Sequence, residues 1–431
     1  MKNKSILSNI FIVLTILLSG YFVMGVTHEA QALSAPTIVS PKEGYVLPPD
    51  SPLVISGLVQ NNSKIFFFID GKLIGGVQAK NGKNGTASFA FRTTKSFTIG
   101  AHSITAQAII GGDKSGYTEP RSFTVPKLWP RRLDGVLVEA NKANDTPVAV
   151  MIENLASVRP QSGLASAGVV YETLAEGGVP RFLALFARTD MPKIGPVRSS
   201  RPYYADWAKE YLAPYLHAGG SRDAFNEIGR LRLRSIDALV NKTAKYFYRA
   251  GKVATTHNLF TKGSTLAAIK KDFKADGAKS LFQSWKFKDD PLLAKRPNEK
   301  RQLIIDFKSG SQYIVAYKYE KASNSYLRFN GGKAHLDANY PKPTQIRAKN
   351  VIVQLIEKEK VLDRQKHLEL KITGTGRGWL LLDGKLHQII WKKPNASART
   401  MYYYLNNKEV EFNRGNTWIE VVPKDRPVVY R

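Results

Sequence analysis

The chain changes texture near residue 126, and that change limits what it can fold into. From Ser34 to Val125, short stretches alternate apolar and polar residues: "TIVSPKEGYVL", "PLVISGLV", "SKIFFFIDGKLIGGVQA", "TASFAFRTT", "GAHSITAQAIIGG" and "PRSFTV". Period-two alternation marks strands with one buried face. Asp70-Gly71 and Gly112-Asp113 supply tight turns between them. Regular short strands over about ninety residues predict a β-sandwich for residues 34–125. In such a domain the apolar alternation is core, and no chemistry is assigned to it.

"PKLWPRRLDG" opens a linker over 126–143, with two prolines and a basic cluster. From Asn144 strands and helices alternate. "TPVAVMIEN", "AGVVYETLAEGG" and "RFLALFAR" read as strands. "SRPYYADWAKEYLAPY", "SRDAFNEIGRLRL" and "STLAAIKKDFKADG" read as helices. This predicts an α/β domain over 144–280. A polar, Pro-containing connection follows at 281–302, then a β-rich C-terminal domain over 303–431. Three folded parts suit a chain of 431 residues, too long for one ordinary core.

The first 32 residues place the chain in the cell. Lys2 and Lys4 precede an apolar stretch from Ile6 to Val26, and Ala30-Gln31-Ala32 follows. This layout is that of a secretory signal peptide. Because the apolar stretch is long, an uncleaved N-terminal membrane anchor fits as well. Either way the body is expected outside the cytoplasm: secreted, wall-associated or tethered. Membrane contact is expected only through that anchor. Cysteine is absent, which removes disulfides, thiolate metal sites, a cysteine nucleophile and a lipid-modified cysteine. The formal net charge is +29, so the surface attracts polyanions. With an export signal, nucleic acid is not expected, and an anionic cell-wall polymer or an envelope protein is the expected partner.

Arg198 and Arg201 stand where the "RPYYADWAKEY" helix begins, the end at which a helix disfavours cations. Ser199 or Ser200 can cap that helix, and Pro202 suits its first turn. Tyr204, Trp207, Ala208, Tyr211 and Leu212 form one apolar stripe that reads as core. The two arginines call for a carboxylate or a bound anion. Glu172 and Glu176 lie on one strand face, about 13 Å apart if extended. A hairpin through Gly177-Gly178 brings Arg181 near Glu176. These residues form either a structural Glu/Arg network or an anion pocket shared with a ligand phosphate or carboxylate.

Gly219, Gly220 and Ser221 sit between a strand and a helix, where free N–H groups make a ready anion site. His217 ends that strand and reads either as a hydrogen-bonded structural residue or as a general acid/base. Arg159 in "RPQSGL" and His257-Asn258 in "TTHNLF" are secondary candidates. There is no Walker motif, no G-x-S-x-G and no H-E-x-x-H, so no metal site is assigned. Trp379, Trp391 and Trp418 read as core rather than as sugar platforms.

Several long motifs carry a family resemblance. They are "PVAVMIENLASVRPQSGLASAGVVYETLAEGGVPRFLALFA", "IGPVRSSRPYYADWAKEY", "HNLFTKG" and "GWLLLDGK…WKKP…NRGNTWIEVVP". Over residues 131–431 the chain resembles the YerB-like family of bacterial envelope proteins, a domain of unknown function. The resemblance implies export, often as a lipoprotein, and no cofactor. Lacking cysteine, this chain departs from the lipoprotein pattern. Residues 34–125 resemble bacterial Ig-like spacer domains through "ISG", "IDGK" and "GAHSITAQA". The leading expectation is a non-enzymatic binding or scaffolding protein of the cell wall. The alternative is an envelope hydrolase or transferase that uses Glu172 or Glu176, His217 and the arginines.

Overall fold

The computed structural model describes residues 33–431 apart from 50, 95, 252–254, 274–280 and 340–341. The signal or anchor segment therefore lies outside the described residues. The chain forms two compact units that divide between Pro126 and Lys127.

In the first unit, two sheets share one core. The strands Thr37–Ser40, Val54–Gln60 and Thr86–Arg92 form a three-stranded antiparallel sheet. The other sheet orders Tyr45–Val46, Arg121–Val125, Gly100–Ile110, Lys64–Ile69 and Lys72–Gln78, with Asp113–Lys114 paired to Gly100–Ile110. Alternation in the sequence becomes alternation in burial. Ile55, Ile65, Phe67, Phe89, Ile104 and Phe123 face inward from both sheets into a single cluster.

The second unit is built on one ten-stranded sheet. Its order is Ser235–Asp237, Tyr215–His217, Val148–Ile152, Pro180–Phe186, Val169–Leu174, Thr417–Pro423, Asn350–Ile356, Gly374–Leu382, Lys385–Lys393 and Met401–Tyr404. The segments expected as separate α/β and β-rich domains thus share a sheet. They join where Val169–Leu174 and Thr417–Pro423 pair in parallel. Across that seam Thr173 Oγ1 donates to the Val421 carbonyl at 2.8 Å, 248 residues away. The central strands are buried at every position, as in sheets covered on both faces. One hydrophobic cluster runs through both halves. A second, six-stranded sheet contains Ser325–Asn330, Val315–Glu320, Gln302–Ile305 and Val428–Tyr430.

The helix Pro202–Glu210 lies on the ten-stranded sheet by its aromatic stripe. Trp207 stacks on Tyr171 at 4.6 Å between ring centroids, and Tyr204 donates to the carbonyls of Thr173 and Arg181. Neither expected serine caps this helix. Arg201 occupies the cap position without a side-chain cap bond, and Pro202 opens the first turn. Ser200 Oγ is taken by the Tyr215 hydroxyl at 2.7 Å instead. At the other end Glu210 is fully buried. It accepts from Lys393 Nζ at 2.7 Å, Arg399 Nη1 at 2.8 Å and the Thr400 hydroxyl at 2.6 Å. The Arg399 guanidinium is flanked by the rings of Tyr211 and Trp285, at 4.0 and 3.9 Å. This clasp ties the helix to the far end of the sheet.

Candidate functional site

The segment 197–200 crosses the carboxyl ends of two parallel strands. The Arg198 N–H donates to the Met151 carbonyl at 3.1 Å, and the Ala218 N–H donates to the Arg198 carbonyl at 3.0 Å. The Ser200 N–H donates to the Gly219 carbonyl at 2.9 Å, which sets Arg201 beside the Gly219-Gly220-Ser221 turn. Gly219 needs that freedom, with φ of +67°. Ser221 caps the next helix by accepting from the Ala224 N–H at 3.2 Å.

Arg201 meets a carboxylate here. Its Nε donates to Glu176 Oε2 at 2.7 Å and its Nη2 to Oε1, while Arg181 Nη2 reaches Oε1 at 2.5 Å. Glu176 is not on the Val169–Leu174 strand. It starts a short turn in which Gly177 has φ of +67°. Burial pushes its carboxyl up, but Arg181 and then Arg201 outweigh burial and hold it at about 2. Arg201 at the helix entrance and Arg181 on the neighbouring strand are thereby offset by one shared carboxylate. A pocket of ≈ 390 Å³ opens beside this group, lined by Ser199, Arg201, Gly220, Ser221, Arg222 and His367, with Asp223 and Asp363 at its wall.

Four other expected residues make separate contacts. Arg198 pairs with Glu153, Nε to Oε2 at 2.6 Å, and His257 Nδ1 reaches the same oxygen at 3.1 Å. Asn258 Oδ1 accepts from Arg249 Nη1 at 2.9 Å. His217 is fully buried. Its Nδ1 faces the Gly219 carbonyl at 2.9 Å and its Nε2 the Ser235 hydroxyl at 2.7 Å. A carbonyl only accepts, so Nδ1 carries the proton and Nε2 takes the hydroxyl's. Burial lowers its pKa, in keeping with a neutral ring that holds the turn. Among the described residues no cluster of three or more histidines and carboxylates could hold a metal ion.

Glu172 belongs to a different assembly, which the sequence reading missed. It is completely buried in the Val169–Leu174 strand, directly beside Glu420 of Thr417–Pro423. Arg328, on Ser325–Asn330 and equally buried, bonds Glu172 Oε2 through Nη2, and that nitrogen lies 3.5 Å from Glu420 Oε1. Tyr317 donates to Glu420 Oε1 at 2.5 Å and accepts from Arg328 Nε at 2.9 Å. Arg328 Nη1 donates to His335 Nδ1 at 2.6 Å, so His335 Nε2 carries the proton and donates to Gln161 Oε1 at 3.0 Å. Burial, Arg328 and Arg159 together push the pKa of His335 well down. Asn154 Nδ2 donates to Glu172 Oε1 at 2.8 Å, and Asn154 Oδ1 accepts from Arg159 Nε at 3.2 Å.

Arg159 thus links the buried network to the surface. Its Nη2 donates to the Asn154 carbonyl at 3.1 Å and its Nη1 to the Gln312 carbonyl at 2.6 Å. The guanidinium stands 5.0 Å from the centre of the Tyr313 ring. A second pocket, of ≈ 360 Å³, opens here; Arg159, Gln312, Asn330, Lys333 and His335 are among its walls.

The fold therefore defines a β-rich unit whose two sequence halves are joined by shared strands and buried ion pairs. Its first half matches the N-terminal domain of the DUF3048 proteins of unknown function over residues 133–278, and its second half matches their C-terminal domain over 303–419. The chain belongs to this YerB-like family. It is 29% identical to the Bacillus subtilis (strain 168) protein named "Putative lipoprotein YerB" over 298 residues, which cover 68% of this chain and 85% of that protein. The crystal structure of the Bacillus subtilis YerB protein matches 70% of this chain and 100% of its own, at 26% identity and a TM-score of 0.61.

Proposed function

We propose that this chain is an exported binding or scaffolding protein of the cell envelope that recognises an anionic wall polymer. The observation that carries this reading is charge. Lysine and arginine number 64 against 35 aspartates and glutamates, a formal excess of +29. A surface of that sign concentrates polyanions. The name of the Bacillus relative, a lipoprotein, supports a place outside the cytoplasm, as do the basic and apolar first residues of this chain. Among the described residues no helix is long and apolar enough to cross a membrane. Within this reading, residues 34–125 serve as an Ig-like spacer, and the helices of 144–280 with their parallel strands form an α/β half that contributes walls to both polar pockets. Of the candidates in the enzymatic alternative, Glu172 and His217 are fully buried and already hydrogen-bonded, and Glu176 is held by Arg181 and Arg201, which favours binding over catalysis.

The test is retention of the purified chain on isolated cell walls with and without their anionic polymer. Retention should fall steeply between about 0.05 and 0.5 M salt, because the screening length shrinks from beyond ~10 Å to a few Å over that range. Equal retention on walls stripped of the polymer would end this reading.

A further inference from the structure

We infer that the ≈ 360 Å³ pocket beside the buried network is a recognition site for a phosphate ester that carries a neighbouring hydroxyl group. This deepens the envelope-polymer reading and rests on it.

The pocket forms where two distant parts of the second unit meet. Arg159 and Pro160, from the loop after the Val148–Ile152 strand, make one wall. Asn330, the last residue of the Ser325–Asn330 strand, makes another together with Lys333 and His335 from the segment that follows. The volume suits a small polar group of this size.

Its charge is one-sided. Arg159 and Lys333 contribute two cations, and no aspartate or glutamate lines the pocket. In the ≈ 390 Å³ pocket the opposite holds, since Asp223 and Asp363 stand among the basic residues and Glu176 already occupies Arg201. Arg159 has no carboxylate within ion-pair distance among the described residues. Its three hydrogen bonds go to the Asn154 side chain and to the carbonyls of Asn154 and Gln312. A guanidinium has five N–H groups, so these three bonds leave two unused, while the same bonds and the Tyr313 ring hold the group in place. A fixed guanidinium without its own carboxylate is the arrangement that suits an external oxyanion.

Asn330 points to the second half of the ligand. It is only 5% exposed, it lines the pocket, and its Oδ1 has no hydrogen-bond partner. A buried acceptor left unmatched costs roughly 1–3 kcal/mol, and an O–H donor supplies what it lacks. Neighbouring His335 cannot serve both roles, since its two nitrogens are engaged by Arg328 and Gln161. An oxyanion for Arg159 and Lys333 plus a hydroxyl for Asn330 is the chemistry of a polyol phosphate.

The experiment is calorimetric titration of the full-length chain with glycerol 3-phosphate and, separately, with inorganic phosphate. Wild type should bind glycerol 3-phosphate measurably more tightly than phosphate. Lys333 is exposed and makes no ion pair among the described residues, so Lys333→Glu should fold normally and weaken glycerol 3-phosphate about tenfold or more. Arg159→Lys, which keeps the charge and loses the fork, should also weaken it. Lys408→Glu, outside the pocket, should not. Equal affinity for both ligands would overturn the hydroxyl assignment. Equal losses from Lys333→Glu and Lys408→Glu would overturn the pocket and leave the polyanion reading intact. The underlying reading fails separately if wild type binds glycerol 3-phosphate but ignores the wall polymer.

Discussion

Glu172 and Glu420 lie side by side on parallel strands at the centre of the ten-stranded sheet, and one nitrogen of Arg328 serves both. Two completely buried carboxyls face a single buried cation. Burial pushes the Glu172 carboxyl well up; Arg328 opposes this and Glu420 adds to it. These effects bias Glu172 toward retaining its proton in the folded state.

That retention has a definite sign. A carboxyl whose pKa is raised on folding contributes stability that is fully present below its unfolded value, about 4.3, and is lost as pH rises toward the folded value. Glu172→Gln mimics the protonated form. Urea melts from pH 4 to 8 should show wild type losing stability relative to Glu172→Gln as pH rises. Parallel curves for the two proteins would contradict a retained proton. Arg328→Met, which strands both carboxyls without a cation, should cost about 3–5 kcal/mol.

Glu176 titrates in the opposite sense. Its folded value of about 2 lies below the ordinary carboxylate range, so its contribution is present above the unfolded value and lost as pH falls toward 2. The side chain is about a quarter exposed, at 24%, so the contribution is on the order of 1–2 kcal/mol after solvent screening. Glu176→Gln should melt earlier than wild type at pH 6 and converge with it near pH 2. A difference that persists unchanged at pH 2 would show that the loss comes from packing, not from the charge.

Parts of this arrangement were legible in the sequence, and the reasons differ by element. The two-sheet unit followed from period-two alternation, because each of its strands has one wet face. The Tyr204–Trp207–Tyr211 stripe was readable as core because helical spacing is local. Glu176 and Arg181 were within reach of each other through a five-residue turn. The continuous sheet was not readable, since it depends on pairing Val169–Leu174 with Thr417–Pro423 across most of the unit. Arg328 was hidden for another reason. In "SYLRFN" the alternation is clear, but the inward face is Tyr326, Arg328 and Asn330, the polar set, while Leu327 and Phe329 are only half-buried. Alternation gives the period of a strand and not which face is inside. Glu420 in "TWIEVVP" likewise reads as an outward residue on a one-sided strand, but this strand is covered on both faces.

The Glu210 clasp provides a stability test away from both pockets. Glu210→Ala leaves Lys393 and Arg399 buried without their carboxylate, and should cost about 3–5 kcal/mol. Glu210→Gln keeps the shape and some hydrogen bonds, and should cost less. Thermal melts of the two variants order them; a loss below 1 kcal/mol for Glu210→Ala would mean that water reaches the clasp.

The last prediction concerns the joint between the halves. The segment 289–300 connects them along the chain, and Leu292 and Leu293 within it are 71% and 55% exposed. A protease site inserted there should be cut readily without unfolding, because the segment's backbone belongs to no sheet. The cut separates residues that match two different family domains. If those were independent bodies, the fragments would part. They instead share the pairing of Val169–Leu174 with Thr417–Pro423, the Glu172–Arg328 and Glu210–Lys393 ion pairs, and one hydrophobic cluster. Each half alone would expose a central strand edge and several unpaired buried charges, both strongly unfavourable. The nicked protein should therefore elute from a sizing column at the position of the intact chain and come apart only in denaturant, in one transition with loss of both halves. Elution as two folded fragments in native buffer would show that the seam does not hold the unit together.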